Sequence, residues 1–219
     1  ARRVGDVGAL VWVAEQLDAV NLINRACGVS VDAKTPSVGE YILAVAIQRA
    51  CQPGAKRETG KFLDGCLARA SCLPGKAFTG QGFSRLAGGV PPEAIDAAQI
   101  ALAEAAVRRF DLAADVLAFD TTNFDTNIAT TTPGVLARRG HAKSKRRDLR
   151  VVGLAVLASE TGHVPLLHRT YPGNGSDQAV LRESLESLRQ LHESLGRAQG
   201  RTAALRTLVR DGGSWGEQL

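Results

Sequence analysis

Methionine is missing from all 219 residues, position 1 included. Ala1 is therefore not expected to be a natural translation start unless an initiator was removed, and the chain reads as a segment of a longer protein or as a processed one. Long apolar runs are missing too. A membrane helix needs about 20 consecutive apolar residues, whereas the best run, Val151–Ala158, is the length of a strand. Nor does a basic stretch followed by an apolar one open the chain, so neither export nor a membrane partner is expected. Cysteine is scarce, and Cys27, Cys51, Cys66 and Cys72 form no Cys-x-x-Cys pair and lie near no histidine at zinc-finger spacing. They are expected to be reduced, partly buried small apolar residues, which fits a cytoplasmic location. Lysine numbers only six against 21 arginines, beside 33 alanines, a bias read as genomic base composition rather than chemistry.

What is present is ordinary globular material. At 44% hydrophobic and 22% charged residues, the chain can fill one or two cored domains and is neither disordered nor collagen-like. The net charge of +5 is concentrated in one place. Arg138, Arg139, Lys143, Lys145, Arg146, Arg147 and Arg150 face a single acid, Asp148, within thirteen residues, and the remainder of the chain is close to neutral. Such a cluster reads as a phosphate-binding surface that releases counterions on meeting DNA, positioning rather than specifying it.

The first 110 residues carry helical patterns. Apolar residues at Leu10, Val13, Ala14, Leu17 and Val20 predict one helix over Leu10–Ala26. Ser37-Val-Gly-Glu40 is a capping box opening a helix that Pro53-Gly54 stops. Shorter helices are expected near Lys61–Ala70 and Gly82–Leu86, and Pro91-Pro92-Glu93 starts an Ala-rich helix reaching Phe110. Near residue 115 the period changes. Strands are expected at Val116–Phe119, ending at Asp120, at Val151–Ala158, and from about His163 to Tyr171 after a turn at Glu160-Thr161-Gly162. Ser176 or Asp177 then caps a helix with Leu181, Leu185, Leu188, Leu191 and Leu195 inward, and Leu205–Val209 forms a fourth strand ending at Asp211. The fold class is α/β: a helical lead, then a β-β-β-α-β sheet. If the fourth strand lies beside the first, Asp120 and Asp211 share one edge, where open α/β sheets place their chemistry.

Two carboxylates held close together ask for a divalent cation, and hard Mg²⁺ or Mn²⁺ prefers oxygen ligands. His163 and His168 read as structural or surface residues, and His141 as an exposed loop residue. Tyr171-Pro-Gly-Asn-Gly-Ser176 reads as a turn and helix cap, since it lacks the lysine of a phosphate loop.

Phe119-Asp-Thr-Thr-Asn-Phe124, Ala137-Arg-Arg-Gly-His-Ala-Lys143, Arg147-Asp-Leu-Arg-Val-Val-Gly-Leu-Ala155, Pro165-Leu166, Tyr171-Pro-Gly-Asn174, Asp177 and Thr207-Leu-Val-Arg-Asp211, in this order and spacing, resemble the catalytic domain of bacterial insertion-sequence transposases of the DDE class. Ser37-Val-Gly-Glu-Tyr41 and the Ala-rich helix are similar to the family's helical region. The resemblance implies an incomplete ribonuclease-H-like mixed sheet over 113–219 and a helical region over 1–112 that helps bind DNA ends. It also implies a carboxylate triad holding two Mg²⁺ ions, with Asp120 matching the first aspartate and Asp211 the second. The family's glutamate lies well beyond the second aspartate, whereas only eight residues follow Asp211. The implied reaction is hydrolysis at element ends followed by strand transfer. The implied partners are terminal-repeat and target DNA and a second copy of the chain, at the nucleoid. The alternative is a truncated, catalytically inactive DNA-binding remnant.

Overall fold

A computed structural model describes residues 5–28, 34–66, 74–113, 116–129, 131–140, 142–160, 162–199 and 207–210. The chain divides into two compact units, Ala1–Ala105 and Ala106–Leu219.

The first unit is helical among its described residues. It holds α1 (Gly5–Gln16), α2 (Ala19–Ala26), α3 (Val38–Cys51), α4 (Thr59–Asp64), α5 (Gly80–Gly88) and most of α6 (Pro92–Phe110). The single helix expected over Leu10–Ala26 is two helices. Asp18 adopts a left-handed backbone with φ 52°, and its carboxylate accepts from Asn21 Nδ2 at 2.6 Å and Arg25 Nη2 at 2.7 Å. The left-handed turn at Asp18, a conformation aspartate tolerates better than most residues, separates the two helices despite the apolar periodicity.

The capping box forms as read. Ser37 N donates to Glu40 Oε2 at 2.8 Å, and Ser37 Oγ accepts from Glu40 N. Buried Asn24 adds a cross-link that periodicity does not reveal: its Nδ2 donates to Ser37 Oγ and its Oδ1 accepts from Gly39 N, joining α2 to the start of α3. At Gly39 a Cβ would lie 2.4 Å from the Val20 carbonyl oxygen, so only glycine lets the two helices approach this closely. Tyr41 anchors the core formed with Val7, Val11, Ala44, Ile47, Phe62, Leu63 and Phe78. Its hydroxyl donates to Ala77 O and accepts from Thr79 N. The helix expected over Lys61–Ala70 is instead α4, which starts at Thr59 and ends at Asp64 with Gly65 as its C-cap; residues 67–70 lie outside the described residues. Cys27, Cys51 and Cys66 are in no disulfide, Cys66 Sγ donates to Phe62 O, and burial raises the pKa of Cys27.

The second unit is a four-stranded mixed sheet in the order β3-β2-β1-β4 with one long helix. Its elements are β1 (Val116–Thr126), β2 (Arg150–Ser159), β3 (Pro165–Pro172), α7 (Asp177–Gln199) and β4 (Thr207–Arg210). β2 pairs antiparallel with both β1 and β3, and β4 pairs parallel with β1. Two boundaries differ from expectation. β1 does not end at Asp120 but continues to Thr126, because Thr121–Thr126 pairs with Arg150–Ala155 in an unbroken register. β3 starts at Pro165, since His163, at φ 50°, still belongs to the turn.

Strand alternation sorts the sheet into two faces. Leu117, Phe119, Ala155, Leu157, Leu167 and Tyr171 are buried on one. There α7 is tied to the sheet by Arg169 Nη2, which donates to Ser187 Oγ at 2.8 Å. Leu181, Leu191 and Leu195 of α7 are buried as expected, and Ser176 is the cap, its Oγ accepting from Ala179 N. The side chains of Leu185 and Leu188 lie outside the described residues. The other face carries Ala118, Asp120, Thr122 and Phe124 of β1 beside Val152, Leu154, Val156 and Ala158 of β2. No described helix is long and apolar enough to cross a membrane.

Candidate functional site

Asp120 is exposed on the face opposite α7, in the residue immediately after the described β1–β4 ladder ends at Phe119↔Arg210. One of its oxygens, Oδ1, accepts from the Thr121 N–H at 2.8 Å. The ladder places Ala118 opposite Val209, so Val209 shares the Asp120 face, where it is 53% exposed. Asp211 lies outside the described residues, as does His141. Among the described residues no three His, Cys, Asp or Glu side chains converge as a metal cluster. His168 stands in the cross-strand row Asp120↔Val156↔His168, two strand spacings or about 10 Å from Asp120. Linear sequence, which separates the two by 48 positions, gives no hint of that alignment.

The basic segment is not a free loop. Arg138 makes an isolated antiparallel bridge with Val151, exchanging both backbone hydrogen bonds at 3.1 and 2.8 Å. Gly173 N donates to Leu136 O, and Gly140 sits against Gly173 so closely that a Cβ there would lie 1.8 Å from the Gly173 carbonyl oxygen. Lys143 ties the segment to β1 twice. Its backbone N–H donates to Asn123 Oδ1 at 3.0 Å, and its Nζ donates to the Thr121 carbonyl at 2.7 Å.

These contacts border a cleft of about 420 Å³ on the α7 side of the sheet. Thr121, Asn123, Lys143, Tyr171, Asn174 and Ser176 are among its lining residues. Asp120 is not among them, so carboxylate and cleft lie on opposite faces of β1, joined through the Thr121 peptide. The Tyr171–Ser176 stretch, read as turn and cap, also forms one wall of this cleft.

The seven cations differ in how far their charge is already met. Arg146 is paired with Asp148, Nε donating to Oδ1 at 2.8 Å. The guanidinium hydrogen bond holds the Asp148 carboxyl down at about 2, and Asp148 in turn raises the pKa of Arg146. Arg138 and Arg150 donate to the carbonyls of Val135 and Thr132, which orients them. Arg139, Lys145 and Arg147 are exposed. All but Arg150 are exposed, so the segment presents its charge to solvent as the sequence suggests.

In the helical unit, a second cleft of about 280 Å³ is bordered by Glu15, Asp18 and Glu40, acids whose charge disfavours phosphate. Compared with known proteins, the chain matches no family model, no curated protein and no solved structure.

Proposed function

We propose that this chain belongs to a DDE-class DNA transposase of an insertion sequence, comprising a DNA-end-binding helical region and the first part of a ribonuclease-H-like catalytic sheet. The observation that carries this reading is the parallel register Phe119↔Arg210, after which Asp120 is the next residue of β1 and Asp211 is the next in sequence. The sheet order supports it: three antiparallel strands, then a helix leading to a fourth strand parallel to the first.

Asp120 fits a hard cation, being an exposed carboxylate with one oxygen fixed by Thr121 N–H. Asp120 and Asp211 would hold Mg²⁺ or Mn²⁺, two ions in the complete enzyme, and the bound metal supplies an activated oxygen and charge stabilisation at a phosphodiester. The chain's own cations orient the DNA: Arg138, Arg139, Lys143, Lys145, Arg146, Arg147 and Arg150 neutralise phosphates beside β1. Lys143, held on the Thr121 carbonyl, keeps that charge one residue from Asp120. Terminal repeats and target DNA are the substrates, and a homodimer joins two element ends at the nucleoid.

The test is incubation of this chain with end-labelled duplex DNA in Mg²⁺. Strand cleavage that disappears in Asp120→Asn and Asp211→Asn supports the enzyme. Salt-sensitive DNA binding without cleavage assigns the alternative role of a binding region whose chemistry needs the family's further glutamate. Absence of DNA binding even at about 50 mM salt, where phosphate contacts are strong, overturns both.

A further inference from the structure

In sequence, Tyr171-Pro-Gly-Asn-Gly-Ser176 fails as a phosphate loop for want of a lysine. The fold supplies one from another segment: Lys143 borders the same cleft of about 420 Å³ as this turn. The cross-strand row Asn123↔Gly153↔Tyr171 runs beneath the cleft. At Gly153 a Cβ would lie 2.3 Å from the Tyr171 ring, so the buried ring lies over the glycine. The walls are largely backbone. Gly140 packs on Gly173, and a Cβ at Gly173 would in turn lie 2.1 Å from the Val151 carbonyl oxygen. Glycine walls let a ligand meet the main chain directly.

Among the described lining residues Lys143 alone carries a charge, and no Asp or Glu borders the cleft. A recess lined by one sign of charge concentrates ions of the other. The Lys143 ammonium has three N–H donors, of which the Thr121 carbonyl takes one at 2.7 Å. By strand alternation the Thr121 and Asn123 side chains lie on the same side of β1 as this ammonium. Ser176 Oγ is occupied by Ala179 N–H in capping α7, so the attraction for an anion rests on Lys143 and not on the start of the helix. An ammonium beside hydroxyl and amide groups suits the several oxygens of a phosphate. The volume falls in the range of small-molecule sites, about 300–1,000 Å³, and exceeds what a bare phosphate fills. The anion therefore carries an organic body, and the hydroxyls, amides and tyrosine around it suit a sugar and a base.

We propose that this cleft binds a nucleoside monophosphate unit, its phosphate on Lys143 and Thr121 and its sugar and base along Asn123, Tyr171 and Asn174. The unit is a free nucleotide or the phosphorylated terminus of a DNA strand, which present the same chemistry. Asp120 lies on the opposite face of β1, so the site is separate from the carboxylates and does not rest on their reading.

The experiment is calorimetric titration of the full chain with deoxyadenosine 5′-monophosphate, deoxyadenosine and inorganic phosphate. Wild type is expected to bind the monophosphate at least about tenfold more tightly than either of the others. Lys143→Gln, which keeps a donor for the Thr121 carbonyl, is expected to weaken the monophosphate by about 10- to 150-fold. Thr121→Val removes the hydroxyl but leaves the carbonyl that holds Lys143, and is expected to weaken it by about 2- to 10-fold. Four results overturn the proposal: no binding of the monophosphate by wild type, equal binding of deoxyadenosine, equal binding of inorganic phosphate, or an affinity unchanged in either variant. A loss confined to Lys143→Gln is among these, because it marks diffuse attraction to the segment. Competition assigns the source. Displacement of the monophosphate by a 5′-phosphorylated single strand, and not by its 5′-hydroxyl counterpart, makes the ligand a DNA terminus. Displacement by neither makes it a free nucleotide, and equal displacement by both overturns the monophosphate assignment. Failure at this cleft leaves the Asp120 reading standing, since DNA cleavage tests that separately.

Discussion

Lys143 grips β1 from outside the sheet: its Nζ donates to the carbonyl of Thr121 at 2.7 Å, while its own N–H donates to Asn123 Oδ1 at 3.0 Å. Thr121 in turn donates to the Asp120 carboxylate. The cationic segment and the exposed acid are therefore both tied to the stretch Asp120–Asn123 of one strand.

The cations of this segment should contribute unequally to the salt dependence of DNA binding. Each phosphate neutralised contributes about 0.9 to the slope of log K against log salt. Lys145→Ala and Arg147→Ala should each lower the slope by about 1. Arg146→Ala should lower it less, because Asp148 already meets that charge. Fluorescence-anisotropy titrations over a range of salt concentrations measure this, and a slope left unchanged by joint removal of Lys143, Lys145, Arg146 and Arg147 contradicts the phosphate-binding role.

Acid should break the Arg146–Asp148 pair in a defined window. The folded carboxyl is held at about 2, below its ordinary 3.8, so the pair's contribution is complete above about pH 4 and is lost as pH falls through 4 toward 2. NMR titration of the Asp148 side-chain carboxyl should give a midpoint near 2, rising toward 4 in Arg146→Met. An Asp148 midpoint insensitive to Arg146→Met is the contrary result.

Gly140→Ala should dislocate the segment without unfolding the helical unit. Its Cβ would meet the Gly173 carbonyl oxygen at 1.8 Å, backbone against backbone, and no side chain can yield to relieve it. Overpacking of this kind costs about 1–3 kcal/mol. Urea unfolding followed separately in the two units should show the loss in the sheet unit alone, and equal loss in both would show that the contact is not local.

Ser37→Ala removes one half of a capping box and the acceptor used by Asn24. The cap alone is worth about 1 kcal/mol, and the buried Asn24 amide left without its partner adds a further penalty of about 1–3 kcal/mol. Chemical denaturation should show a loss above the ordinary cap value, and Ser37→Thr, which keeps the hydroxyl, should restore most of it.

The sequence was most readable where a single local cause decides the structure. Ser37 and Glu40 announce a helix start, the Pro91-Pro92 pair another, and the continuous apolar run Val151–Ala158 a strand buried in a sheet. It was least readable where partners are distant. Thr121–Thr126 contains one apolar residue in six and looks like a loop, yet pairing with β2 across the basic segment makes it a strand. Asp120 consequently lies inside β1 and not at its tip. The break at Asp18 escaped the periodicity for the opposite reason, a single left-handed residue interrupting a good helical pattern. The pairing of Lys143 with Thr121 and Asn123, across about twenty positions, has no local signature at all.

Manganese binding by the intact chain tests the shared-carboxylate account most directly. Calorimetric titration of wild type should show bound Mn²⁺. Asp120→Asn and Asp211→Asn should each abolish it, and the double substitution should cost no more than either alone, as for two ligands of one centre. Mn²⁺ binding that persists in either single variant, or its absence from the wild-type chain, would contradict the account.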